Sequence, residues 1–447
     1  MEELNTGEKF NTGYIIGISF ISALGGYLFG FDFAVISGAL PFLQNQFGLD
    51  SYWEGFATGS LALGAIIGCL IAGKVSDRYG RKPGLLVAAI IFALSSLAMA
   101  FASGRDVFIV ARFVAGIGVG MASMLSPMYI AEIAPAKWRG RLVAINQLNI
   151  VLGILVTNIV NYSLRNYGDD AWRIMFGLGA VPSVLFLFGL LILPESPRWL
   201  VQNGKTEAAY KILMKIGNKQ FADNALVTIE KSVEGVNKIS FKMAFNKVFF
   251  PAVMIGIGLA VFQQLCGINT VFNYTAKIFK SIGASQDDQL QQTVFIGCVN
   301  LVCTLLAMFL VDKLGRKPLM LIGSGGLAIL YVVVVNMLEA NSPNVSWFLL
   351  MAIGIYAMTL APVTWVLISE IFPNKVRGAA TSIAVLCLWA AYFVLVFTFP
   401  ILFEKFKDDT FYIYSGICVL GFIFIWKKVN ETKGKTLEEM EDVFIGH

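Results

Sequence analysis

GKVSDRYGRK, residues Gly73–Lys82, returns as VDKLGRK at Val311–Lys317. It does not return alone. IAEIAPAKWRG (Ile130–Gly140) reappears as ISEIFPNKVRG (Ile368–Gly378), and PESPRWL from Pro194 has a weaker echo in NETKGKTL from Asn430. From Gly80 to Gly315, Ile130 to Ile368 and Pro194 to Asn430 the offsets are 235, 238 and 236 residues. A nearly constant offset over half of a 447-residue chain means two copies of one unit.

The units are built for a membrane. Hydrophobic residues make up 57% of the chain and charged ones 14%, too little charge to cover a soluble protein of this length. The apolar residues gather in blocks of about 20, enough to cross about 30 Å of hydrocarbon as helix. Twelve spans are read, at about 14–36, 54–73, 84–103, 107–129, 141–163, 173–193, 249–276, 291–312, 318–337, 346–367, 379–402 and 410–427. The alternating segments of a membrane barrel are absent, so the spans are helices. Six precede the polar stretch Pro194–Lys247 and six follow it. The expected fold is all-α, two pseudo-symmetric six-helix bundles (1–193 and 248–428) joined by a cytoplasmic linker with short helices (194–247) and ending in a tail (429–447).

Orientation follows from Lys and Arg in the short loops. The loops after spans 2, 4, 8 and 10 carry twelve of them, including Lys74, Arg78, Lys137, Arg141, Lys313 and Lys375, against about seven in the loops on the other side. The linker adds nine more. Both termini and the linker are therefore expected in the cytoplasm, and the net charge of +5 reflects this bias, with no call for a nucleic-acid partner. The N-terminal residues lack the layout of a cleaved signal, so the first span is expected to be retained. Cys69, Cys266, Cys298, Cys303, Cys387 and Cys418 lie in apolar stretches at irregular spacing. They suggest small packing residues, with neither a disulfide framework nor a metal site. The single histidine, His447, is the last residue and is expected to be idle.

The repeats are those of the major facilitator superfamily, and LFGFDFAVISG (Leu28–Gly38), GRKP (Gly80–Pro83), PESPRWL (Pro194–Leu200), QQLCGIN (Gln263–Asn269) and NETKGKTLEEME (Asn430–Glu441) resemble signatures of its sugar-porter branch. Each match alone is weak; in this order and spacing, over nearly the whole chain, they are specific. One departure is Asn430, where the branch usually has Pro. The resemblance implies transport of a monosaccharide across a bacterial inner membrane, by a chain that works as a monomer without a cofactor.

Charges cluster at the cytoplasmic corners. Asp77, Arg81, Glu132 and Arg139 sit at the ends of spans 2 to 5, and Glu195 and Arg198 follow span 6; Asp312, Arg316, Glu370 and Arg377 stand in the second half. Acidic residues contribute little to topology, yet each half places a carboxylate at the same corners. The reading is a latch of carboxylate–Arg pairs between the bundles, which breaks when the protein opens inward.

A sugar in mid-membrane needs amides, which offer donor and acceptor together, and rings for its C–H face. Gln147 lies in span 5, Gln263, Gln264, Asn269 and Asn273 in span 7, Asn300 in span 8, Trp365 in span 10 and Trp389 in span 11. Buried polar groups among lipid-embedded helices are costly and mark function more often than packing when they crowd together. Gly267 lies among the span 7 amides, where a broken helix would free backbone groups. The resemblance implies sugar contacts at Gln147, Gln263, Gln264, Asn269, Asn300 and Trp365, with Phe29 and Trp389 as ring contacts. It implies an amide at Leu388, where this chain has none.

Asp32 lies in an otherwise apolar span at the same expected depth as Arg112 of span 4. A carboxylate beside a guanidinium is held ionised, and one left alone in an apolar setting takes up a proton. Proton-coupled sugar porters resemble this chain in having Asp at the position of Asp32, whereas facilitative ones have Asn. A proton symporter is therefore expected, with Asp32 and Arg112 as the coupling pair. The rivals are an uncoupled uniporter with a static ion pair and a sugar-sensing receptor, for which the tail and linker are short. No Cys/His pair, metal cluster or nucleotide loop points to an enzyme, and the glycines Gly116, Gly118 and Gly120 suit close helix packing.

Overall fold

The computed structural model describes residues 8–233, 245–342, 344–372 and 376–433. Among these, twelve helical spans follow one another: Thr12–Phe47, Ser51–Tyr79, Arg81–Ala100, Arg105–Ile133, Arg139–Leu164, then Ala171–Gly177 with Ala180–Ile192 as span 6. In the second half come Phe250–Leu265 with Ile268–Ser281 as span 7, Gln286–Leu314, Arg316–Glu339, Val345–Met358 with Leu360–Ile371 as span 10, Arg377–Phe406 and Thr410–Lys428. The last two form a nearly unbroken 52-residue run of helix. At 1.5 Å per residue that is about 78 Å, far beyond one bilayer. The chain reverses at the short turn Lys407–Asp409, where Lys407 has φ of +48°.

The helices pack as two groups. Spans 2 and 4, 1 and 5, and 3 and 4 pack together in the first half; spans 9 and 12, 7 and 11, and 8 and 10 in the second. Glycine allows the closest approach, as the repeated small residues of span 4 suggest. A Cβ at Gly64 would lie 1.9 Å from the Phe113 carbonyl oxygen, and one at Gly116 2.1 Å from that of Leu61. The halves touch each other through spans 2 and 11, 5 and 8, and 1 and the second segment of 7.

Most expected spans fall inside longer helices. Span 1 extends to Phe47, where Gly48 turns left-handed at φ of +59°, and span 8 begins at Gln286, because capping residues, not apolar residues, set helix ends. Asn11, Asp50 and Ser285 each accept from a backbone N–H of the first turn of spans 1, 2 and 8. Among the described residues the linker holds the short helices Pro197–Gln202, Thr206–Ile216 and Lys219–Val233. Phe10 forms an antiparallel bridge with Gly217 and its ring lies 5.3 Å from Trp138 and 5.1 Å from Phe221, so the residues just before span 1 are tied to the linker. The tail beyond Lys433, His447 included, lies outside the described residues.

Candidate substrate and proton site

Span 7 breaks where its sequence suggests. Gly267 has φ of +91°, a conformation only glycine adopts without strain, and a Cβ there would meet the Tyr414 ring at 2.5 Å. The break gathers the amides on either side. Gln263 donates to the Tyr356 hydroxyl at 3.0 Å, Gln264 to the Gln263 side-chain carbonyl at 2.5 Å, and Asn269 to that of Gln264 at 2.6 Å. Each bond uses one hydrogen of an NH2 group, which leaves a second hydrogen on each amide for a hydroxyl. All three amides are buried. Asn273, also buried, donates to the Asn269 backbone carbonyl and accepts from the Tyr392 hydroxyl at 3.2 Å.

Rings from both halves lie beside this chain of amides. Phe29 is 5.5 Å from Trp389 and 6.1 Å from Phe33; Phe33 is 5.8 Å from both Phe272 and Tyr392, and Trp389 is 5.8 Å from Tyr392. All but the tilted Phe33–Tyr392 pair are edge-to-face, and contacts of this spacing hold a ring cluster together while leaving faces to pack on C–H groups. Leu388 precedes Trp389 and is buried.

Gln147 and Asn300 come from helices that face one another across the halves. Asn158 donates to the Thr293 carbonyl at 2.7 Å, and a Cβ on Gly297 would lie 3.1 Å from Leu155. Spans 5 and 8 thus run antiparallel in contact, and extending this register puts Asn300 little more than about one helical turn from Gln147. Gln147 is half-buried and Asn300 buried. Trp365 is separate: it is exposed, on the second segment of span 10, and is not a member of the ring cluster. Span 10 also breaks, at Thr359 (φ −127°, ψ −85°). Position 359 itself is neither glycine nor proline, but Pro362 in the first turn of the second segment cannot donate to the Met358 carbonyl, a signal for this break that the sequence reading passed over.

Asp32 and Arg112 meet as expected. The Arg112 Nη1 lies 3.3 Å from Asp32 Oδ1, and Nη2 donates to the Asp32 backbone carbonyl at 3.3 Å. Both residues are 1% exposed. Asp32 Oδ2 has no hydrogen-bond partner among the described residues. Arg112 also sits 5.6 Å from the Phe176 ring. Phe33, next to Asp32 in sequence, belongs to the ring cluster, so the ion pair and the aromatic site share one stretch of span 1.

At the end bearing the termini the described carboxylate–Arg pairs form within each half, and none of them crosses to the other in this structure. Arg81 binds Glu132 through two bonds of 2.9 and 2.8 Å, and Arg316 binds Glu370 through two of 3.3 and 3.1 Å. Each pair lies within one half. Glu195 accepts from the backbone N–H groups of Arg81 at 2.9 Å and Lys82 at 3.2 Å, and Glu431 from those of Arg316 and Lys317, both at 3.0 Å. A carboxylate thus caps the N-terminus of spans 3 and 9, where unpaired N–H groups and the helix dipole favour negative charge. Ser196 and Thr432 complete the copies by donating to Glu132 and Glu370. Burial pushes the Glu195 carboxyl above its ordinary value against the pull of these N–H groups. The Arg finds its acid in its own half because the helix it begins packs beside the span that ends in that acid.

Asp77 is exposed, 4.0 Å from Arg81. Arg139 and Arg198 are exposed and join no described ion pair, and the Arg377 Nε donates to the Phe372 carbonyl at 3.2 Å. The side chain of Asp312 lies outside the described residues. Residues missed by the sequence reading are Tyr356, Tyr392, Phe33 and Phe272, which carry no signal against an apolar background, and Glu431 and Thr432. For these last two the signal existed: the echo of PESPRWL in NETKGKTL aligns Glu195 with Glu431 and Ser196 with Thr432.

Comparison with known proteins agrees with this construction. Residues 18–444 match the family model described as "Sugar (and other) transporter". The D-xylose-proton symporter of Escherichia coli (strain K12) is 40% identical, over 97% of this chain and 96% of the relative. The arabinose-proton symporter of Bacillus subtilis (strain 168) is 38% identical over 97% of this chain and 96% of its own length. The inward-open structure of the xylose transporter from E. coli superposes with a TM-score of 0.86 at 38% identity, covering 96% of this chain and all of that one. The chain, with its twelve spans in two related halves, belongs to the sugar transporter family of the major facilitator superfamily.

Proposed function

We propose that this chain is a monosaccharide–proton symporter of a bacterial inner membrane, working as a monomer by alternating access, with both termini and the linker in the cytoplasm. The bundles 1–193 and 248–428 rock about a sugar held by Gln147, Gln263, Gln264, Asn269, Asn300 and Trp365 and flanked by Phe29 and Trp389. The observation that carries the proton-coupled reading is the Asp32–Arg112 pair, buried from solvent beside the ring cluster. A carboxylate there has two stable settings, ionised against Arg112 or protonated and released from it. Phe33, adjacent to Asp32, touches Phe272 and Tyr392 of the other half, so a shift at the proton site is felt at the sugar site. Relatives that couple xylose or arabinose to protons support this reading.

The mirrored clusters of Arg81, Glu132 and Glu195 and of Arg316, Glu370 and Glu431 hold the linker and the tail to their own halves. Each half then moves as one body. Among the described residues, hydrogen bonds crossing the halves lie at the end remote from the termini, as in Asn158 to Thr293 and Arg165 to Asp287. This arrangement fits a cytoplasm-facing state. Counterflow of a panel of labelled pentoses and hexoses into proteoliposomes, with and without an imposed pH gradient, tests the proposal. Accumulation above equal concentrations driven by an inward proton gradient supports symport. Uptake that halts at equal concentrations supports the uniporter, and no counterflow of any sugar sinks the transport reading.

A further inference from the structure

Glu54 begins the second span from within its first turn, and it is 1% exposed. Its Oε2 lies 2.6 Å from the Nζ of Lys277, on the second segment of span 7 in the other half. The Lys277 side chain is 19% exposed, so this is a partly buried ion pair across the halves. Around it the closure is tight. A Cβ on Gly55 would lie 2.3 Å from the Phe397 carbonyl oxygen and one on Gly59 2.9 Å from the Phe393 ring, both on span 11. A cavity of about 120 Å³, lined by Gln44, Lys277, Lys280, Gln289 and Ala276 among others, opens beside the lysine.

The geometry points to Glu54 and Lys277 as the charge latch of the outer gate, a pair of positioning residues that sets how much of the protein faces outward. The inference rests on the alternating-access reading above. Parting the halves at this end must separate span 2 from the second segment of span 7, and with them the two charges. A buried carboxylate that loses the lysine bound to it is costly, so the pair weights the equilibrium towards outer closure. The adjacent cavity gives the freed groups room for water when the gate opens. Lys280, also lining that cavity, adds a second positive charge on the same segment, and Gln44 a polar neighbour on span 1.

The test uses the full-length protein in right-side-out vesicles with a reporter, Ala276→Cys, which replaces a buried cavity-lining residue by one of similar size. Modification by a membrane-impermeant thiol reagent is compared with the background of the six native cysteines. Glu54→Gln and Lys277→Met should each speed modification about tenfold, equivalent to about 1.4 kcal/mol in the gating equilibrium. The exchanged pair, Glu54→Lys with Lys277→Glu, should restore the slow rate. Unchanged rates in both single variants overturn the latch, as does an exchanged pair that stays fast when each single variant folds. Modification is read without sugar, so a wild-type protein that fails to move any sugar would refute the transport reading separately.

Discussion

Replacing Asp32 by Asn removes one titratable group and little else. The amide keeps an oxygen where Oδ1 accepts from Arg112 at 3.3 Å, and the second bond, to the Asp32 backbone carbonyl, is untouched. The lost quantity is the charge facing Arg112. Breaking a buried pair by removing one partner costs about 3–5 kcal/mol, and the retained carbonyl and the Phe176 ring 5.6 Å away keep the loss at the low end. The variant should therefore fold, with lower thermal stability. Its energy coupling should vanish. One pH unit supplies about 1.36 kcal/mol and 100 mV about 2.3 kcal/mol per charge. Together they sustain a sugar ratio of several hundred at one proton per sugar. In proteoliposomes under that gradient, Asp32→Asn should fall to a ratio of about one while still exchanging labelled for unlabelled sugar. Arg112→Gln should behave differently, because a lone Asp32 keeps its proton and the cycle stalls at release while exchange continues. An Asp32→Asn protein that accumulates sugar like wild type would refute the assignment.

Three further perturbations address other parts of the molecule. Gln264→Ala removes the middle link between Gln263 and Asn269 and should weaken sugar binding by about 1–3 kcal/mol by calorimetry; unchanged affinity in a folded variant would move the site elsewhere. Gly80→Ala puts a Cβ 2.2 Å from Glu195 Oε2 at φ of +107°, and should cost about 2–4 kcal/mol from strain and a displaced cap, read as a lower melting temperature. Gly73→Ala, where a Cβ meets nothing within 4 Å, is the control, and equal melting of the two would count against the cap. Glu370→Gln weakens the site that holds Arg316 and Thr432 within the second half, and should speed protease release of the segment after Glu431 with sugar affinity unchanged. Tail release at the wild-type rate would demote the cluster to a role in topology.

The repeat at a constant offset and the blocks of about 20 apolar residues made the twelve spans and two halves legible, because a bilayer constrains helix length and charge placement more tightly than water does. Pairing of Asp32 with Arg112 was legible for the same reason: a charge in an apolar span needs a partner at its own depth. Gly267 announced its break by being the residue that tolerates φ of +91°. Thr359 itself bears no such mark, and the signal for its break is Pro362, which has no N–H to donate back to the Met358 carbonyl.

Which groups meet across the repeat was left to tertiary structure. Glu132 and Glu370 occupy equivalent corners in sequence, and equivalence alone does not say whether each binds an Arg of its own half or of the other. Packing of spans 3 and 4, and of 9 and 10, decided for the same half. Glu54 and Lys277 stand 223 residues apart with no motif between them, and only the folded contact of spans 2 and 7 makes them a pair. The aromatic cluster has the same origin. Phe33 and Phe272 look like any phenylalanine in an apolar helix, and their meeting depends on the rotation of two helices about their axes. Sequence by itself therefore determined what crosses the membrane, how often and with which charges at depth, because transfer into hydrocarbon is priced residue by residue. The register between helices is set by close packing of whole surfaces, and it decided which of those residues form the site.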